Sequence, residues 1–175
     1  LLSFQTILTT ATPGFSLAWQ LCEEAFPAEE RRTLEAQTQL LRNSIYRFIT
    51  LHAEGELVGF MGYWQLTGFV FLEHFAVTPT ARGKGIGKRA LEKLGEVVQQ
   101  TLVLEVEPPF NEMAQRRINF YERSGFHLNP YPYAQPPYSP EKPWVPLLLM
   151  TYPERLSLPA FQQVKEELYK VVYSV

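Results

Sequence analysis

Three glycines at alternate positions, interleaved with cations, make up Arg82-Gly83-Lys84-Gly85-Ile86-Gly87. Glycine leaves the backbone N–H groups bare and lets a ligand come close. Ile86, Ala90, Leu91, Leu94, Val97 and Val98 follow at three- and four-residue spacing, which predicts an amphipathic helix that starts in the run. A helix start carries unpaired N–H groups and the positive end of the dipole. Arg82, Lys84, Lys88 and Arg89 crowd that same end, where each cation is unfavourable by roughly 0.3–1 kcal/mol. An anion among them reverses the sign, and a phosphate or pyrophosphate is the natural occupant.

Spacing excludes two familiar phosphate sites. A P-loop has four residues between its glycines, followed by Lys and Ser/Thr; Gly83 and Gly87 are closer together, and Arg89 follows Lys88. A dinucleotide fingerprint reads Gly-x-Gly-x-x-Gly inside a β-α-β repeat, and neither feature is present. Upstream, Phe69–Val77 reads as a mostly apolar buried strand ended by Thr78-Pro79. Strand, Val77-Thr78-Pro79, Arg82-x-x-Gly85-x-Gly87 and amphipathic helix together resemble the GNAT superfamily of acyl-CoA-dependent N-acetyltransferases. Asn119-Phe120-Tyr121-Glu122-Arg123-Ser124-Gly125-Phe126 resembles that family's second hallmark, a helix ending at Gly-Phe. The resemblance covers roughly residues 3 to 152 and implies acetyl-CoA as cosubstrate and a primary amine as acceptor.

It also implies the division of labour. The Gly83, Gly85 and Gly87 amides, with Arg82, Lys84, Ile86 and Lys88, would hold the pyrophosphate. Phe75, Ala76 and Val77 would meet the pantetheine arm through main-chain atoms, and one N–H there would face the carbonyl oxygen. Asn111 resembles the asparagine that opens the family's second helix region and contacts the cofactor. Tyr121 matches the hallmark tyrosine. A phenol near pKa ~10 can donate to a thiolate near ~8.5, so Tyr121 is the candidate general acid; a core tyrosine on an apolar helix face is its structural alternative.

Glu73 is the first candidate for general base. It interrupts an apolar strand, and burial would raise its carboxyl toward a useful range. A carboxylate paired with a neighbouring cation is the other reading. Glu105 and Glu107 share one strand face by period two and stand as alternatives. His74 has the opposite strand parity to Glu73 and reads as a packed or surface histidine. His52, His127 and Cys22 are isolated, with no metal-ligand spacing and no base beside the thiol. No metal is expected.

Those residues need elements to carry them. A strand over 3–9 and a helix through Leu17, Leu21, Ala25 and Phe26 come first, then a second helix from Pro27 to about Arg42. Ile45–His52 and Glu56–Trp64 pair through Ala53-Glu54-Gly55, a hairpin signal. After the central strand and the glycine-led helix, Thr101–Val106 is another strand. Phe110, Ala114, Ile118 and Tyr121 lie on one helical face closed by Gly125. Phe126–Asn129 and Val145–Tyr152 are the last strands, and Phe161, Val164, Leu168 and Val171 trace a terminal helix. The fold expected is α/β: a twisted, largely antiparallel mixed sheet flanked by helices. It is splayed between the strands ending near Val77 and Val106, with a C-terminal helix added. A domain over 1–152 and a helical extension over 153–175 follow from this. Half of the 14 prolines fall in Pro130–Pro146, interleaved with Tyr131, Tyr133, Tyr138 and Trp144. Hairpin loops are usually shorter, so 130–146 is an insertion: a self-packed loop, a wall of the acceptor pocket or a homodimer contact.

Composition bounds the rest. A chain of 175 residues, 46% hydrophobic and 19% charged, is one globular domain. Net charge −2 with no basic run argues against a nucleic-acid partner. No apolar stretch approaches a membrane span, and a soluble cytoplasmic protein is expected. A single cysteine excludes an internal disulfide. The competing functional classes are a non-catalytic acyl-CoA-binding module and an interaction protein that uses the Pro/Tyr segment.

Overall fold

A computed structural model describes residues 1–175. Its strands are β1 (Leu2–Thr6), β2 (Tyr46–Ala53), β3 (Glu56–Gln65), β4 (Phe69–Val77), β5 (Thr101–Val106), β6 (His127–Leu128), β7 (Tyr133–Gln135) and β8 (Val145–Tyr152). They form one sheet in the order β1-β2-β3-β4-β5-β8-β6, with β7 added to β8. Every pairing is antiparallel except β4 with β5. Helices α1 (Phe15–Ala25), α2 (Leu34–Leu40), α3 (Ile86–Val98), α4 (Glu112–Arg123) and α5 (Leu158–Glu167) complete the chain.

Strand alternation sends one set of side chains to each face, and each face has its own core. Leu72, Leu102 and Leu104 meet Ala90, Leu91 and Leu94 of α3 and Ile118 and Tyr121 of α4. On the other face Phe60, Phe71, Val103 and Leu149 meet Phe15, Ala18 and Trp19 of α1 and Phe161 and Val164 of α5.

The parallel ladder is short. It runs from Phe69↔Thr101 to Leu72↔Leu104 and stops, although both strands continue. Beyond Leu72 the edge of β4 that faces β5 therefore has no ladder partner, and the expected splay is present. Opposite it, Gly62 pairs with His74 and Tyr63 with Leu72, so Glu73 is the extra residue of a β-bulge on β4. A bulge reverses the alternation of side chains beyond it. Hence Glu73 and His74 face the same side, against the expected parity.

Four local readings are corrected. The strand predicted over 3–9 ends at Thr6 because the Thr12 hydroxyl takes the N–H groups of Leu8 and Thr9. The helix predicted from Pro27 to Arg42 is broken into a 3-10 turn, Ala28–Glu30, and α2, which Thr33 caps by accepting from the Ala36 N–H. The chain between them is extended, and Arg32 reaches the buried Glu73 from it. Phe110 lies outside α4 and is 89% exposed. After α5 the backbone widens into a π-helical turn, Leu168–Val172, which brings Val172 and Tyr173 inward in place of Val171. The 130–146 segment contains β7, in register Tyr133↔Leu147 with β8.

Candidate active site

Where β4 and β5 part, a cleft of about 900 Å³ opens through the sheet. One arm is bounded by the start of α3 and by α4, the other by residues 24–30 and the 130–146 segment.

At the α3 arm, Gly83 and Gly85 adopt φ +76° and +74°, and nothing lies within 4 Å of where a Cβ would stand on either. Positive φ selects glycine, and the open space beside it leaves room for a ligand. None of the N–H groups from Gly83 through Lys88 donates within the chain; the first such bond is Arg89 N–H to the Gly85 carbonyl. Gly87 is glycine for a different reason: a Cβ there would stand 2.9 Å from the Phe120 ring. Arg82 and Lys88 line the cleft with Ile86, and Arg116, Arg117 and Arg123 face them from α4. A row of free amides between cations fits a pyrophosphate.

The structure brings Phe75, Ala76, Val77, Arg82, Gly83, Gly85, Ile86, Gly87, Lys88 and Tyr121 onto this one cleft wall, and Lys84 and Asn111 do not border it. Lys84 is on the exposed outer side of the loop. Asn111 is exposed and spends its side chain as the cap of α4, accepting from the Ala114 N–H at 2.9 Å. It stands ten residues before Tyr121, at the helix start and away from the cleft. Tyr121 is 9% exposed. Burial, only partly opposed by Arg117, pushes its phenol up to about 12, so it remains a proton donor at neutral pH. No protein atom accepts from its hydroxyl.

The two carboxylates near the fork differ sharply. Glu73, its side chain fully buried, accepts from Arg32 Nη1 at 2.7 Å, Trp64 Nε1 at 3.0 Å and the Tyr138 hydroxyl at 2.6 Å. Burial alone would raise its pKa, but the Arg32 guanidinium, the neighbouring His74 and the hydrogen bonds from Arg32 and Tyr138 outweigh it and hold the carboxyl at about 2. The expectation that burial lifts Glu73 into a useful range is thus reversed. A carboxylate so low is a poor proton acceptor at neutral pH. Glu105 has no ion pair. Burial pushes it up to about 8, against the Tyr133 and Tyr173 hydroxyls that donate to it and with a further upward push from Glu73 and Glu30. It remains partly open to the cleft, one residue past the end of the parallel ladder.

Around these, His74 is buried and neutral: burial lowers its pKa, and Nε2–H donates to the Glu30 carbonyl at 2.7 Å. Glu30 is raised by burial and by Glu107, with Arg117 opposing. Cys22 is buried, and its thiol is pushed up to about 12, which leaves it inert as a nucleophile.

Arg32 and Tyr173 escaped the reading of the sequence, and Tyr133 and Tyr138 entered it only as part of a segment that could wall the acceptor pocket. A lone arginine in a polar stretch carries no local signal, and tyrosines in a proline-rich segment do not reveal which way they face. The α4 arginines were legible in principle, since Arg117 and Tyr121 are one helical turn apart.

A forked mixed sheet with a glycine-led helix start at the fork is the architecture of the acetyltransferase class that the hallmark motifs resemble. The family model for the acetyltransferase (GNAT) family matches residues 12–126, and this chain belongs to that family. A GNAT-family protein from Bacteroides thetaiotaomicron has a similar structure, with TM-score 0.92 and 37% identity over 99% of both chains. YjbC of Bacillus subtilis (strain 168), itself only assigned to the acetyltransferases, is 28% identical over 112 residues. That match covers 62% of this chain and 55% of YjbC, so it spans about half of that relative. A GNAT acetyltransferase from Elizabethkingia anophelis, solved with acetyl-CoA bound, shares the fold at TM-score 0.58 and 14% identity, over 86% of this chain and 96% of that one. No helix of this chain is long and apolar enough to cross a membrane.

Proposed function

We propose that this protein transfers an acetyl group from acetyl-CoA to a primary amine by direct attack, both substrates being held together in the forked cleft. Acetyl-CoA, when bound, supplies the activated thioester. The free amides of residues 83–88, with Arg82 and Lys88, hold its pyrophosphate. The unpaired edge of β4 beyond Leu72 offers main-chain groups to the pantetheine amides and an N–H to the thioester oxygen. Glu105 takes the proton from the amine, directly or through water. Tyr121 gives its proton to the departing sulfur.

A single observation carries the assignment of the base. Glu105 is a carboxyl on the cleft wall without a cation, held near about 8, whereas Glu73 beside the same fork is held at about 2. A base works best when its pKa lies near the working pH. The carboxylates bordering the other arm, Glu24, Glu30 and Glu107, have no salt bridge and favour a cationic amine as acceptor.

The test is acetyl-CoA-dependent free-thiol release across a panel of primary amines, with Glu105→Gln and wild type compared over pH 6 to 9. Wild-type kcat/KM should climb until about pH 8, as Glu105 ionises, and then level. Glu105→Gln should lose roughly 10²-fold or more and lose that limb. A variant within about threefold of wild type would return the base to another group.

A further inference from the structure

The Glu105 carboxylate takes its only protein hydrogen bonds from two residues that lie beyond the 12–126 stretch matched by the family. The Tyr133 hydroxyl, on β7, donates to Oε2 at 2.6 Å. The Tyr173 hydroxyl, at the end of the π-helical turn, donates to Oε1 at 2.7 Å. Each phenol is 6% exposed and fixed by its neighbours. Tyr133 packs on Phe161 and Tyr169, with ring centroids 6.5 and 5.9 Å apart, and Tyr173 packs on Tyr138 at 5.3 Å. The widened turn is what points Tyr173 inward, since its N–H bonds back five residues to the Leu168 carbonyl.

The geometry points to Tyr133 and Tyr173 as positioning residues for the Glu105 carboxylate: each occupies one lone pair of one oxygen and leaves the remaining lone pairs to the amine. This rests on Glu105 being the base. A carboxylate offers about four acceptor sites, so two donors fix its plane without saturating it. Neutral donors also stabilise the ionised form less than a guanidinium does. Arg32 holds Glu73 at about 2, whereas a pair of phenols leaves Glu105 able to gain and lose a proton near neutral pH. The groups that act on Glu105 are these two tyrosines, together with Glu73 of β4 and Glu30 from the turn before α2. Tyr138 and Tyr169 stand behind the pair. The Pro/Tyr segment and the C-terminal helix, which enter the chain separately, thus converge on one carboxyl.

Tyr133→Phe and Tyr173→Phe keep the rings and remove the donors. Protein labelled with carbon-13 at the glutamate carboxyl gives a direct readout without any acceptor, the Glu105 resonance being the one missing from Glu105→Gln. Its midpoint should lie near about 8 in wild type. It should move up by about one unit or more in each Phe variant, the loss of one hydrogen bond to a charged group. The rising limb of kcat/KM, measured with n-butylamine and spermidine as probes, should move the same way. A lowered melting temperature with an unmoved midpoint would overturn the positioning role and leave both tyrosines as packing. The base itself is judged separately: Glu105→Gln with near wild-type kcat/KM sinks the base reading, whereas a dead Glu105→Gln beside Phe variants of wild-type titration sinks the positioning alone. The two tyrosines sit in different segments, so if one variant fails to fold the other still decides.

Discussion

At the scale of single residues, two glutamates within one cleft, one buried and one partly open, show how partners set a carboxyl's charge. Glu73 is tied to Arg32, whose guanidinium also lies over the Tyr138 ring at 4.8 Å. Replacing Glu73 by Gln leaves that cation buried without its counter-charge, a loss of roughly 3–5 kcal/mol. The folded pKa of about 2 lies below the ordinary 4.5, so the stabilisation is complete above about 4.5 and fades as pH falls toward 2. Urea midpoints of wild type and Glu73→Gln should therefore differ most at neutral pH and converge in acid. A gap that did not change with pH would mean the ion pair contributes nothing to it. Tyr121 makes the complementary prediction. Tyr121→Phe keeps the packing against Phe120 and Phe126 but cannot donate, so kcat should fall roughly 10²–10⁴-fold. The CoA dissociation constant should hardly move. A kcat within about threefold of wild type would make the ring a core residue only.

At the scale of elements, the start of α3 is the part whose proposed role rests on local structure alone. Gly85 sits in the left-handed region as the cap of that helix, beside N–H groups that donate to nothing in the chain. Gly85→Glu adds a side chain where close approach is needed and a like charge beside the phosphates. CoA binding measured by calorimetry should weaken more than tenfold, about 1.4 kcal/mol. Unchanged affinity would move the pyrophosphate elsewhere. The β-bulge on β4 is the second decisive element. A single extra residue turns Glu73 and His74 to one side and invalidates an inference from alternation alone. The break between Ala28–Glu30 and α2 is the third, since a continuous helix there could not deliver Arg32 to the sheet.

At the scale of the molecule, the regions after residue 126 are bound into the same core as the rest. Gln135 Nε2 donates to the Glu29 carbonyl and Lys142 Nζ to the Arg31 carbonyl, which staples the 130–146 segment to the chain before α2. The Tyr133 and Tyr138 hydroxyls turn inward to Glu105 and Glu73, so the segment is a wall of the cleft, and Trp144 is its exposed aromatic, 52% accessible. Leu168 has 0% exposure between α5 and the sheet. Leu168→Ala should cost roughly 2–5 kcal/mol, read as a lower urea midpoint with an unchanged slope. It should also lower kcat, because Tyr173 depends on the turn that Leu168 anchors. A destabilised variant of full activity would separate the C-terminal helix from the site.

What the sequence determined by itself was whatever is written in neighbouring residues. The glycine and cation run, the period of α3 and α4, the alternating hairpin of β2 and β3 and the Gly-Phe ending are local patterns, and local sterics and hydrogen bonding make them independent of the rest of the chain. They sufficed for the sheet, for its fork and for the glycine-led end of the cleft. The tertiary structure alone decided how differently the two carboxyls are held. A carboxyl's pKa depends on charge and water within a few ångströms, and for Glu73 and Glu105 those neighbours are Arg32, 41 residues away, and Tyr173, 68 residues away. No short stretch of sequence records such a meeting, so for Glu73 the base and the ion-paired carboxylate stood side by side until folding supplied the cation.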